Sequence, residues 1–238
     1  MKHKFGFTMA EVLITLGVIG IVAAITLPTL IKNYQKYQTV NLVKKTFSDI
    51  ANVHKQAVAD LGEPINWNYP EPNNIAQLET FLKTYYIPYL NNAKYYSRND
   101  FENKLGHNMS NLVGTSYSPN YTSGVILNDG RILRYIANFG GSGIYIWIFA
   151  DINGLKGPNK VGKDIFVLET NKDSNYYPVF VGSRLQRAKL ISKGIDVQSD
   201  TDTNNMGCNK SSKGIFVGWL CGALIQQDGW KIKDDYPW

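Results

Sequence analysis

The chain has 238 residues, of which only 18% are charged, with 25 lysines and arginines against 19 aspartates and glutamates. A formal net charge of +6 is too mild and too dispersed to argue for nucleic acid as a partner by itself. The length suits one globular domain with an appendage, and three histidines without any Cys/His metal spacing leave no catalytic constellation in view.

Lys2, His3 and Lys4 precede Phe5-Gly6, and residues 12–31 then run for twenty positions without a charge, VLITLGVIGIVAAITLPTLI. A helix of that length rises about 30 Å, enough to cross a bilayer. By the positive-inside rule the leading lysines stay cytoplasmic and the remainder lies outside. Glu11 stands between Phe7 and the apolar run, where a carboxylate serves neither an ordinary secretory signal nor a simple anchor. A cut after Gly6 would give Phe7 a free amine, and that amine on a neighbouring subunit would neutralise Glu11. The same stretch has two further readings: a conventional signal peptide cut after Ala24, with Val22 and Ala24 supplying the small-residue spacing, or an uncleaved signal anchor. Glu11 and the helical pattern that continues past Ala24 weigh against the first.

The stretch KFGFTMAEVLITLGVIGIVAAITLP resembles the leader and first helix of type IV pilins and type II secretion pseudopilins, and Gly6, Phe7 and Glu11 all match that pattern. The resemblance implies a leader of residues 1–6, cleavage by a prepilin peptidase between Gly6 and Phe7, N-methylation of Phe7, and a part for Glu11 in assembly. The partners it implies are homologous pilin or pseudopilin subunits and a membrane assembly platform. It points to a structural subunit rather than an enzyme, held first in the cytoplasmic membrane and then built into a pilus or pseudopilus. A membrane-tethered or fibre-tip binding module, related to DNA uptake, is the other role open to it.

Beyond Pro28 an apolar stripe continues at Tyr37, Val40, Val43, Phe47, Ile50, His54, Ala57 and Leu61, in steps of three or four, with Lys32, Lys36, Lys44, Lys45 and Asp49 on other faces. The pattern predicts one helix over 7–61, about 80 Å long. Its first part, 7–31, is the transmembrane and assembly half, and 32–61 is an amphipathic half. Pro28 removes a backbone hydrogen bond and predicts a kink. His54 is expected at the edge of the packed stripe. Gly62 and Pro64 end the helix, and 62–238 form an extracytoplasmic head.

In the head, 62–119 read as a long connection with one short helix near 75–86. Strand signals follow at 124–127, 131–137, 144–150, 165–168 and 179–181, with an Asn128-Asp129-Gly130 turn between the first two. An antiparallel sheet laid on the second half of the long helix buries both apolar faces. The expected fold class is α+β, and the resemblance implies the pilin ladle of helical handle and sheet head.

Asp151, Asn153, Asn159 and Asp164 crowd around glycines in ADINGLKGPNKVGKDIF, and oxygen ligands on such a loop can hold Ca²⁺. The spacing departs from an EF-hand, and two turns between strands, with Asp and Asn bonding backbone amides, are the preferred reading. No other cofactor is expected. Cys208 and Cys221 pair in an oxidising compartment or remain buried thiols; the resemblance, with the paired cysteines of many pilins, implies the disulfide. Arg184, Arg187, Lys189 and Lys193 cluster beside Leu185, Leu190 and Ile191, read as a solvated face in preference to a DNA contact. Trp219, Trp230, Tyr236 and Trp238 are read as core packing rather than interface.

Overall fold

The structure, a computed structural model, describes residues 6, 8–105, 108–117, 122–140, 143–171, 175–192 and 205–238. The first helix, α1, spans Met9–Leu61 without a break at Pro28. Its buried positions are Val40, Val43, Thr46, Ile50, Val53, His54 and Ala57. Tyr37 and Leu61, expected on this stripe, are instead 66% and 45% exposed, since they fall at its two ends, outside the buried positions from Val40 to Ala57. His54 is also corrected: it lies fully inside rather than at the edge. The helix stops at Gly62, which takes φ +82° and donates its amide to the Val58 carbonyl at 3.0 Å. That left-handed residue costs glycine nothing and closes the last turn.

The segment 62–119 holds more structure than expected. After a 3₁₀ turn at Pro64–Asn66 comes α2, Ile75–Tyr85, whose N-cap Asn74 accepts the Gln77 amide at 3.1 Å. A second 3₁₀ turn, Ile87–Tyr89, leads to the edge strand β1, Lys94–Tyr96. Then follow α3, Arg98–Leu105, and a two-residue pair, β2 (Met109–Ser110) with β3 (Ser116–Tyr117).

The main sheet contains β1, β4 (Ser123–Ile126), β5 (Ile132–Gly140), β6 (Gly143–Asp151), β7 (Ile165–Thr170) and β8 (Val179–Phe180), in that spatial order and antiparallel throughout. Residues alternate between faces. Leu133, Tyr135, Ile148 and Leu168 join the cluster formed with Val40, Val43, Ile50 and Ala57 of α1 and Phe81 and Leu82 of α2. The alternate positions are covered as well. Phe101 of α3 packs with Tyr96 and Ile132, and Trp147 and Phe149 meet Trp219 edge-on at 4.9 and 5.2 Å. Both faces of the central strands are therefore buried, where only the α1 side was foreseen. The α+β architecture itself is as expected: a long N-terminal helix and a six-stranded antiparallel sheet.

Arg131 ties the β4–β5 turn to α1. Its side chain is 3% exposed, and it donates to Thr46 Oγ1 at 2.6 Å, Asp49 Oδ2 at 2.5 Å and Asp129 at 2.9 Å. Burial alone would raise the Asp129 pKa, but hydrogen bonds from Arg131 and Lys45 hold the carboxyl well below the usual range. The C-terminal part adds α4, Arg187–Leu190, and α5, Cys221–Gln227. The chain divides into two units, one ending at Gln38 and the other running Thr39–Trp238.

Candidate functional site

Phe7 lies outside the described residues; Gly6 is exposed. At the start of α1, Thr8 and Glu11 form a reciprocal cap. Glu11 Oε2 accepts from the Thr8 amide and from Thr8 Oγ1, both at 2.8 Å, and Thr8 Oγ1 accepts the Glu11 amide at 3.2 Å. This is the capping box, in which residues three apart satisfy each other's helix-end donors. The spacing Thr8-x-x-Glu11 is visible in the sequence, and it gives Glu11 a partner within its own chain besides the intersubunit amine expected from the sequence. The carboxylate also sits at the positive end of the helix dipole.

From Met9 to Ile31 every large aliphatic side chain is 43–82% exposed. The most apolar window of α1 has a mean hydropathy of 2.3 and no part of it is buried within the chain. Exposing a Leu, Ile or Val forgoes roughly 1.5–3 kcal/mol relative to burial, so more than ten of them in a row demand lipid or other helices. The run is long and apolar enough to cross a membrane.

The loop between β6 and β7 gathers the four residues considered for Ca²⁺. Asp151 Oδ1 accepts the amides of Asn153 at 3.2 Å and Gly154 at 2.9 Å. Asp164 Oδ2 accepts the Asn159 amide at 2.8 Å and Asn153 Nδ2 at 3.1 Å, and its Oδ1 accepts the Lys160 amide at 2.6 Å. Burial pushes the Asp164 carboxyl up in pKa, against the pull of these donors. Asn153 Oδ1 and Asn159 Oδ1 are buried acceptors without a partner among the described residues. Calcium takes six to eight oxygens. Here N–H groups already point at both carboxylates, and the Asn153 side-chain amide donates to Asp164. The residues fit a pair of locked turns better than a calcium cage.

The basic cluster is divided by its partners. Arg187 pairs with Asp228 at 2.6 Å and with Asp235 at 2.8 Å, so its charge is spent within the fold. Lys193 lies outside the described residues. Asp228 also takes Lys233 at 2.7 Å, and these cations keep its carboxyl below its ordinary pKa, Arg187 foremost. Nearby, Cys208 and Cys221 are joined in a disulfide. Trp219 and Tyr236 are buried, with the Tyr236 hydroxyl donating to the Gly162 carbonyl at 2.5 Å, whereas Trp230 and Trp238 are half-buried.

Residues 1–27 match the prokaryotic N-terminal methylation motif, which supports the pilin and pseudopilin type of N-terminus. No curated protein and no solved structure matches the chain. Residues 29–238 match a family of unknown function (DUF6613), and the chain belongs to that family.

Proposed function

We propose that this chain is a structural subunit of a type IV pilus or a type II secretion-like fibre, made as a membrane-held precursor. The prepilin peptidase cuts between Gly6 and Phe7, and Phe7 is N-methylated. An assembly platform then draws α1 out of the bilayer to pack against the same helix of other subunits. The observation that carries this reading is the uncovered apolar run directly behind a processing motif, with one carboxylate, Glu11, at its head. Thr8 satisfies Glu11 through Oε2 in the single chain. A neighbour's Phe7 amine completes the neutralisation during assembly.

The processing motif supports the orientation with the head extracytoplasmic, as the leading Lys2 and Lys4 do, against the pull of Lys32, Lys36, Lys44 and Lys45 behind the apolar run. The motif belongs to structural rather than catalytic proteins, and the 151–164 loop is read as a turn. The test is Glu11→Ala: the precursor stays stable and is processed, while its incorporation into sheared fibres falls. Unchanged incorporation rejects the pairing of Glu11 with the amine.

A minor, fibre-tip subunit with a binding head is the second reading. It is favoured by an open cleft of about 470 Å³ between α2 and the preceding loop, lined by Tyr69, Phe81 and Tyr85 with Asn68, Glu71 and Gln77. Abundance in the fibre separates the two, since a tip subunit is rare along the shaft.

A further inference from the structure

We propose that residues 32–37 of α1 form a collar that binds the phosphates of anionic phospholipid headgroups and fixes how deeply the precursor stands in the bilayer. This rests on the membrane reading of α1 given above. The apolar run ends at Ile31, and the next six residues are KNYQKY. They rise about 9 Å along a helix, close to the roughly 5–8 Å of headgroup on each side of the hydrocarbon.

Their chemistry is that of an interface. Tyr34 and Tyr37 are 59% and 66% exposed, and an amphipathic ring with a polar tip is suited to the boundary between hydrocarbon and water. Lys32 and Lys36 stand one turn apart on one side of the helix, with stems long enough to reach phosphate. At 100° per residue Tyr34 and Tyr37 fall on the opposite side, so the collar encircles the helix. A helix lying flat on a membrane would instead carry a charged or polar face along its whole length, whereas residues 12–31 are without charge on every side. The collar therefore belongs to a helix that crosses the headgroup layer.

Charge points to the ligand. Between Glu11 and Asp49 the sequence carries no acidic residue, so neither Lys32 nor Lys36 has a carboxylate within one turn on its own helix. The later lysines are already engaged. Lys45 pairs with Asp129 at 2.7 Å and Asp49 at 3.2 Å, and Lys44 lies over the Trp230 ring at 5.9 Å. Two exposed or half-exposed ammonium groups at headgroup height, without a protein counter-charge on their helix, are matched by lipid phosphate.

The test reconstitutes the full chain in vesicles of phosphatidylglycerol or of phosphatidylcholine, with a nitroxide on Ile21→Cys, Gln35→Cys or Asn41→Cys in turn. Cys208 and Cys221 are already paired and do not take the label. Power-saturation depth should place position 21 in hydrocarbon, 35 among headgroups and 41 in water. In phosphatidylglycerol, Lys32→Gln with Lys36→Gln should shift position 35 by about 3 Å, two residues' rise, and in phosphatidylcholine it should not. Position 35 in hydrocarbon or bulk water, with 21 still in hydrocarbon, overturns the collar and leaves the membrane reading standing. A depth indifferent to both lipid and lysines overturns the phosphate contact. Position 21 in water overturns the membrane reading itself.

Discussion

Replacing His54 with phenylalanine and comparing both proteins from neutral to acidic pH isolates one buried titration. His54 is fully buried, with Trp67, Tyr86 and Tyr177 at ring distances of 5.0, 6.1 and 4.9 Å. Its Nδ1 lies 3.1 Å from the Tyr86 hydroxyl, and its Nε2 has no partner among the described residues. Burial lowers its pKa from 6.5 to about 4. The folded state thus holds the imidazole neutral, while the unfolded chain takes up the proton near 6.5. This contribution is intact above pH 6.5 and is lost as pH falls from there towards 4. Between neutrality and about pH 4.5 the loss is about 2 kcal/mol, with a limiting slope of about 1.4 kcal/mol per pH unit. The assay is urea unfolding of the detergent-solubilised chain followed by tryptophan fluorescence. His54→Phe starts from lower stability, since Tyr86 loses its partner, but its stability falls less steeply with acid. Parallel pH profiles for the two proteins would refute the assignment of a buried, neutral His54.

Reducing the Cys208–Cys221 disulfide opens a link between residues 13 apart, and the unfolding free energy should drop by about 3 kcal/mol on chain-entropy grounds. A denaturation midpoint unchanged by reductant contradicts that. In Gly222→Ala the new Cβ would stand 2.3 Å from Phe180 Cδ1, in a ring stacked on Phe47 at 5.2 Å, so about 1–3 kcal/mol should be lost in the same assay. Chelator and added calcium should both leave the midpoint where it is, because the 151–164 loop is closed by its own amides. A calcium-dependent rise in midpoint would show the loop to be a metal site.

The sequence made the long helix and the strands β4 to β7 legible because each carries a strong period: steps of three and four on α1, and apolar runs bounded by Asn, Asp and Gly in the sheet. The three-and-four spacing from Val40 to Ala57 matches most of the buried positions on α1. Thr46 and Val53 are buried outside that spacing: Thr46 bonds to Arg131, a partner 85 residues away that periodicity does not reveal. β1 has only three residues and pairs along one edge, too little for any pattern. α3 was within reach, since Ser97-x-x-Asp100 is a cap spacing and the Phe101 amide donates to the Ser97 carbonyl at 2.8 Å. What hid α3 is its composition, with one core side chain among charged neighbours. Its docking also explains Gly124, where a Cβ would fall 2.3 Å from Phe101. Of the candidate site, the processing motif and Glu11 were plain in the sequence, while Thr8 as Glu11's partner within the same chain came only from the structure.

If the N-terminus is a prepilin leader, mass spectrometry of the N-terminal peptide of the chain purified from membranes will find a peptide beginning at Phe7 and carrying a single methyl group on its amine. A chain beginning at Ile25, as after cleavage by a conventional signal peptidase, or one still beginning at Met1, would contradict it.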